Sequence, residues 1–289
     1  LGVELNRFFT DETTLKERLT NEGGYGKTNR LIRNVMGLWL IQEVRRDFES
    51  KGGKYSYAQL VELAQSVKDP WRTLIHVDAS IFIHAENMIE RIQRFARETN
   101  QPIPTTPGEI AATVFSSLAL QYAKTFDVLE KCAQIPMQEI HIVGGGSQNQ
   151  YLSQLTADVC NRTVITGPVE ATAIGNAVVQ AISAGEIKDM QSARKVVMES
   201  GLVTGKLIPQ KRAEISAIRA RYSGKPELDL AILAEGNAAT FDRSRNRFLV
   251  KASGVFMSAS KESDWVWLDL DDCIEVIEAA DRNGISQKL

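Results

Sequence analysis

The feature that most constrains this chain is a pair of strand–turn–helix patterns in tandem between residues 139 and 185. Glu139 to Val143 reads as a short strand, Gly144-Gly145-Gly146 as a turn and Asn149 to Val159 as a helix. Thr163 to Thr166 reads as a second strand, Gly167-Pro168 as a second turn, and Ala171 to Ala184 as a second helix closed by Gly185. Two such units in succession specify an α/β arrangement. The short linking helix leaves two ways to join the strands: a right-handed parallel crossover, or a neighbouring antiparallel pair. The second helix is rich in small residues (Ala171, Ala173, Gly175, Ala177, Ala181), which let a backbone or a flat ligand come close.

A glycine-rich turn between a strand and a helix frees backbone N–H groups to point at an anion, and the helix N-terminus adds about half a positive charge. Lacking Cβ atoms, Gly144, Gly145 and Gly146 also permit close approach of a ligand. Taken alone, such a turn reads equally as a tight connection. It is not a phosphate loop of the Lys-Ser/Thr type, because no such pair follows, and it is not G-x-G-x-x-G, because Asn149 takes the sixth position. The second turn places another helix N-terminus at the same sheet edge, a crevice of the kind ligands occupy.

Before this region, Leu1, Val3 and Leu5 read as a strand followed by an acidic connector. Leu31 to Phe48 reads as one helix, with Leu31, Val35, Leu38, Trp39, Ile41 and Val44 at helical spacing. Tyr57 to Val67 reads as another. Thr106-Pro107-Gly108-Glu109 has the form of a capped helix start, and the helix that follows carries Ile110, Val114, Leu118, Tyr122, Phe126 and Leu129 along one stripe. Composition shifts near residue 200. Gly201 to Arg212 reads as a linker, and beyond it come a helix (Arg212 to Tyr222), short β runs (228–233, 247–252, 265–270) and a closing helix (271–280).

The 289 residues are 43% hydrophobic and 24% charged, an ordinary globular composition. A net charge of -2 gives no reason to expect nucleic acid or an anionic membrane as partner. No apolar run approaches the about 20 residues of a membrane span, and no leader is visible. Cys132, Cys160 and Cys273 are few and odd in number, which fits a reducing cytoplasm. His76, His84 and His141 show no metal-ligand spacing, so no metal site is expected. The abrupt start at Leu1 reads as that of a fragment.

The blocks N-E-G-G (21–24), R-N-V-M-G-L-W-L-I-Q (33–42), S-L-A-L (117–120), I-V-G-G-G-S-Q-N (142–149) and G-P-V-E-A-T-A-I-G-N (167–176) resemble, in order and spacing, the C-terminal half of the rhamnulokinase group of the FGGY carbohydrate kinases. The resemblance runs from about residue 1 to 205. It implies an actin-like ATPase (RNase H-like) fold, and transfer of the terminal phosphate of MgATP (cofactors ATP and Mg²⁺) to the 1-hydroxyl of the ketose L-rhamnulose. It implies Asn34 as a sugar contact and Gln42 and Gly145 as nucleotide contacts. Gly144, Gly146 and Asn149 join the nucleotide set, with Glu170, Thr172 and Asn176 as weaker candidates. On a helix from Leu31, Gln42 would lie about 12 Å along the axis from Asn34. Without the resemblance, Asn34 reads as a polar residue at a helix start and Gln42 as a solvated side chain.

The family's N-terminal phosphate-binding domain and its Asp general base have no match in the sequence. The chain is therefore expected to be inactive alone and to act with a separate N-terminal half. The other reading is an inactive fused fragment, or a nucleotide-binding or interaction module. The tail, 212–289 after a linker at 206–211, resembles the start of a class II aldolase/adducin domain through 230–240 and 248–254. That resemblance implies Gly236, Asn237, Ser253 and Gly254 as phosphate or substrate contacts. Where that family has Gly-Asn-Thr-Ser, this chain has Gly236-Asn237-Ala238-Ala239, and no histidine for a metal follows His141.

Overall fold

The computed structural model describes residues 1–210 and 212–223, and beyond them the backbone of three strands. The chain divides into two compact units, Leu1–Leu228 and Asp229–Leu289.

The first unit opens with β1 (Gly2–Leu5), a short helix α1 (Glu12–Lys16), β2 (Thr20–Gly23) and β3 (Asn29–Ile32). These strands form an antiparallel sheet in the order β1-β3-β2. Helices α2 (Trp39–Ser50), α3 (Tyr57–Gln65), α4 (Met88–Glu98) and the 27-residue α5 (Pro107–Ala133) follow. Then come β4 (Glu139–Ile142), α6 (Gln150–Cys160), β5 (Thr163–Thr166), α7 (Ala171–Ser183), α8 (Met190–Glu199), β6 (Gly205–Leu207) and α9 (Arg212–Ser223). β4 and β5 pair in parallel, Glu139 opposite Thr163, with α6 as the crossover, so the parallel alternative is the one adopted.

Helix α5 starts where its capping signal lies. The Thr106 hydroxyl accepts from the Glu109 N–H at 3.2 Å, and the Glu109 carboxylate accepts from the Thr106 N–H at 3.1 Å. Pro107 occupies the first turn, where its missing N–H costs nothing. At Gly108 the helix crosses α3 closely: a Cβ there would lie 2.7 Å from the Leu63 carbonyl oxygen. On its other side α5 meets α6, with Phe115 and Tyr151 edge to face at 5.8 Å between ring centres. Its C-terminal end packs on the antiparallel sheet through Leu129, Cys132 and Ala133 against Leu5, Phe9, Leu19 and Leu31.

Three expectations change. The segment Leu31 to Phe48 is not one helix. Leu31 lies in β3 opposite Val3 and Asn21, residues 33–38 are a loop, and α2 starts at Trp39. Strand alternation wins here because Asn29, Leu31 and Arg33 are all buried, and Gly37, at φ +65, turns the chain into α2. The expected linker 201–212 contains β6, which pairs antiparallel with β5, Leu207 opposite Val164. The first unit also continues past the expected boundary at 205. Ile215, Ile218 and Tyr222 of α9 are buried, and the Tyr222 hydroxyl donates to the buried Gln121 Oε1 at 3.2 Å.

The second unit contains an antiparallel sheet of β7 (Ala239–Asp242), β8 (Arg247–Lys251) and β9 (Trp265–Asp269), in that order. The expected run at 228–233, the helix at 271–280 and the tail candidates Gly236, Asn237, Ser253 and Gly254 lie outside the described residues. Among the described residues no helix is long and apolar enough to cross a membrane.

The packing of α9 gives a direct test. Ile218→Ala should lower the unfolding free energy of the first unit by about 2–5 kcal/mol, the cost of emptying a buried aliphatic site. Denaturant unfolding followed by a fluorescence or dichroism signal of that unit measures it. An unchanged midpoint would show that α9 does not belong to its core.

Candidate functional site

The two turns are joined through their backbones. The Gly167 N–H donates to the Ile142 carbonyl and the Gly144 N–H to the Pro168 carbonyl, both at 2.9 Å. Parallel pairing of β4 and β5 brings the strand ends to one edge, and these two bonds carry the ladder one step into the turns. Gly144 has φ +77 and Gly167 φ +94, a region that side chains with a Cβ rarely adopt.

After Gly144 the chain makes a 3₁₀ turn, Gly145–Gln148. Ser147, fully buried, closes it by donating its N–H at 3.0 Å and its hydroxyl at 2.7 Å to the Gly144 carbonyl. The N–H groups of Gly145 and Gly146 take no part in these bonds. Open space lies in front of Gly144 and Gly145, where an added Cβ would meet no atom within 4 Å. Asn149 caps α6, its Oδ1 accepting from the Leu152 N–H at 3.0 Å, so its oxygen is engaged in the protein. Across the second turn, Glu170 precedes α7 without a side-chain capping bond, and the first helical bond runs from the Ile174 N–H to the Glu170 carbonyl at 3.1 Å. The N–H groups of Ala171, Thr172 and Ala173 are thus unclaimed at a helix N-terminus, where an anion is favoured. Of the weaker candidates, Asn176 turns back on α7, donating to the Thr172 carbonyl at 3.0 Å.

Helix α2 reaches the same edge. A Cβ on Gly146 would lie 3.7 Å from Leu38 Cδ1, and the Gln42 N–H donates to the Leu38 carbonyl at 3.2 Å. Gln42 therefore sits one helical turn from the residue that touches the glycine turn, with its side chain exposed. Neither Leu38 nor Ser147 stands out in the sequence; each is one apolar or polar residue among many, and only the folded backbone brings it to the turn.

Asn34 is placed differently from the expected helical position. It lies, exposed, in the loop 33–38, and the 12 Å helical separation from Gln42 does not apply, because the chain is not helical between them until Trp39. The loop is pinned on both sides of Asn34. The Arg33 guanidinium, 3% exposed, pairs with Glu17 at 3.3 Å. The Met36 N–H donates to Asp78 Oδ1 at 2.8 Å, a bond between residues 42 apart in sequence. Burial raises the Asp78 pKa above the usual carboxylate value; the Met36 bond and the charges of Arg33, Arg18 and Lys124 oppose the shift without cancelling it. Tyr122 stands nearby, its phenol pushed up to about 12 by burial and by the Asp78 charge.

Comparison with known proteins places this geometry in a family. Residues 8–184 match the model of the FGGY family of carbohydrate kinases, C-terminal domain. The chain belongs to that family. It is 40% identical over 200 residues to a rhamnulokinase of Bacillus subtilis (strain 168), a match covering 69% of this chain and 40% of that protein. It is 38% identical over 228 residues to a rhamnulokinase of Enterobacter sp. (strain 638), covering 78% of this chain and 45% of the relative. The chain thus spans less than half the length of these relatives. Among solved structures, xylulose kinase from Rhodospirillum rubrum superposes with a TM-score of 0.54 at 16% identity, over 77% of this chain and 43% of that one. The fold is the α/β actin-like ATPase lobe of the sugar kinases.

The loop clamp makes a prediction with a sign. Asp78→Ala leaves the Met36 N–H without its acceptor and should cost about 1–3 kcal/mol of stability. Asp78→Asn keeps an acceptor and should cost less. Because the folded pKa is raised, the contribution of Asp78 is full below its unfolded pKa and is lost as pH rises through the folded one. The stability of wild type relative to Asp78→Asn should therefore fall as pH rises from about 4 towards 7. Denaturant titrations at several pH values test this; a difference that grows in favour of wild type with pH would contradict it.

Proposed function

We propose that this chain supplies the nucleotide-binding wall of an ATP-dependent sugar kinase of the rhamnulokinase type, which phosphorylates L-rhamnulose at its 1-hydroxyl. The observation that carries the reading is the union of two turns at one sheet edge, with unclaimed N–H groups on Gly145, Gly146 and the start of α7 beside open space. Such donors suit the phosphates or adenosine of a nucleotide, and they act without any change of protonation. Gln42, one turn from Leu38, is assigned to the nucleotide. Asn34, on its pinned loop, is assigned to the sugar. That assignment rests on the resemblance and on the loop's exposure.

The described residues contain no group of three or more His, Cys, Asp or Glu side chains able to hold a metal ion. Mg²⁺ is commonly held through one or two carboxylates together with substrate phosphates, and the ion is taken to arrive with the nucleotide. Phosphoryl transfer depends on positioning and on neutralising charge from both sides of a cleft. The reading assigns one side to this chain and the base that takes the sugar proton to a separate N-terminal half. A positioned base is worth about 10²- to 10⁴-fold. Location in the cytoplasm goes with this reading. The aldolase/adducin likeness of the tail remains a proposal from sequence alone.

Two measurements test the reading. Gly145→Val adds a side chain where the protein has room for it, so the fold should survive while ATP affinity falls by at least about tenfold, roughly 1.4 kcal/mol. Equal ATP binding by variant and wild type would refute the assignment of the turn. In the second, the purified chain is given MgATP and L-rhamnulose with and without a separately produced N-terminal half. Turnover only in the combined sample is expected; robust turnover by the chain alone would overturn the division of roles.

A further inference from the structure

The glycine turn and the second turn are held from a third segment, Leu202 to Gly205, which lies beyond the residues 8–184 matched by the family model. Its contacts are specific. The Thr204 N–H donates to the Thr166 carbonyl at 2.7 Å, and the Thr204 hydroxyl donates to the same carbonyl at 3.2 Å. The two threonine hydroxyl oxygens are 3.2 Å apart, so the Thr166 hydroxyl, on a fully buried residue, can donate to Thr204 Oγ1 and complete the pair. One residue on, Gly167 faces the same segment so closely that a Cβ would lie 2.5 Å from the Leu202 carbonyl oxygen. A Cβ at Gly205 would lie 2.9 Å from Thr166 Oγ1 and 3.5 Å from Gln150 Oε1. The Gln150 amide in turn donates to the Ser147 carbonyl at 3.3 Å, at the far end of the glycine turn.

We propose that residues 202–205 act as a strap that fixes the two turns as one unit, with Thr204 as a positioning residue for the nucleotide site. Thr204 touches no ligand in this scheme. It holds the Thr166 carbonyl and hydroxyl, which set the course of the chain into Gly167. Gly167 and Pro168 then hold Ile142 and Gly144, and so set the direction of the free donors on Gly145 and Gly146. The strap's own donors and acceptors are backbone and hydroxyl groups, so its hold does not depend on pH near neutrality. The inference rests on the nucleotide reading for its function, and on the hydrogen bonds alone for its mechanics.

The test compares Thr204→Val, which keeps the shape and removes the hydroxyl, with Thr204→Ser, which keeps the hydroxyl. ATP affinity of the full chain is measured by calorimetry, with Gly145→Val as control, and amide exchange at Gly144 is measured by NMR without nucleotide. The valine variant should bind ATP about threefold to tenfold more weakly, the loss of one or two hydrogen bonds of roughly 0.5–1.5 kcal/mol. The serine variant should stay within about twofold of wild type, and Gly144 exchange should quicken in the valine variant only. Rescue by serine separates positioning from a general loss of stability. If Thr204→Val fails to fold, Gly205→Ala, which crowds Thr166 from the same segment, takes its place with the same expected loss. ATP binding by Thr204→Val equal to wild type, with Gly145→Val impaired, would overturn the strap while leaving the nucleotide site intact. If wild type binds no ATP, the nucleotide reading fails, and Gly144 exchange decides the strap: unchanged exchange in the valine variant overturns it, quickened exchange restored by serine supports it.

Discussion

The burial of α5 is the constraint on which the first unit depends. Every residue from Ile110 to Gln121 is buried, so the helix has no solvent face over three turns and must be covered on all sides. Covering is what α3, α6 and α9 do, while the antiparallel sheet takes the C-terminal end of the helix. The residues between the large apolar ones are small, Ala111, Ala112, Ser116, Ser117 and Ala119, and small residues let neighbouring helices approach. The hydroxyls among them are used where the backbone needs them: Ser117 accepts from the Ile75 N–H at 2.9 Å and donates to the Thr113 carbonyl at 2.6 Å. A helix fixed in this way holds α6 rigidly, and α6 is the crossover that sets β4 beside β5.

From that placement the site follows with little help from side chains. A parallel pair ends with its carbonyls and N–H groups at one edge, and two turns leaving that edge must either bond to each other or strand their polar groups. Here they bond, Gly167 to Ile142 and Gly144 to Pro168, and the N–H groups of Gly145 and Gly146 take no part in those bonds. A site made of backbone donors has a particular electrostatic character. Its partial charges are fixed by geometry, so its affinity for an anion depends on how rigidly the turns are held. On the proposed reading, contacts remote in sequence, Leu38 against Gly146 and Thr204 against Thr166, would bear on such a site though neither supplies a charge.

Legibility in the sequence follows the range of the forces involved. The capping box at Thr106, the strands at 139–142 and 163–166, and the helices on either side of the second turn are encoded within a few residues, and all were readable. The helix expected from Leu31 shows the opposite case. Its apolar residues fit a 3.6-residue period, but the strand is specified by burial of Asn29, Leu31 and Arg33, two of them polar, and hydrophobicity cannot report that. The Asn29 side-chain amide donates to the Arg7 carbonyl and to Asn21 Oδ1, and Arg33 pairs with Glu17, partners 8 to 22 residues away. The glycine and proline residues of 201–212 suggested a linker because composition does not record that β5 has a free edge for β6. In the candidate site, Gly144 and Gly167 were visible because positive φ selects for glycine. Leu38, Ser147 and Thr204 were not, because each acts only through a contact made in three dimensions.

The extent of the first unit bears on how the tail is attached. With α9 expected in the tail, the chain would change domains near residue 206. In the structure the Arg219 guanidinium donates to the Val159 carbonyl at 3.1 Å and pairs with Asp127, and Arg221 donates to the Trp71 carbonyl. These contacts tie α9 to three separate parts of the first unit, the ends of α5 and α6 and the loop after α3. The proposed strap at 202–205 is therefore anchored twice on its C-terminal side, by β6 on β5 and then by α9 on α5 and α6. An unanchored linker in that place would leave Thr204 free to exchange its bonds with water. Anchored, it holds a fixed position, and the second turn inherits that position from a segment that reads, in sequence, as a connection between domains.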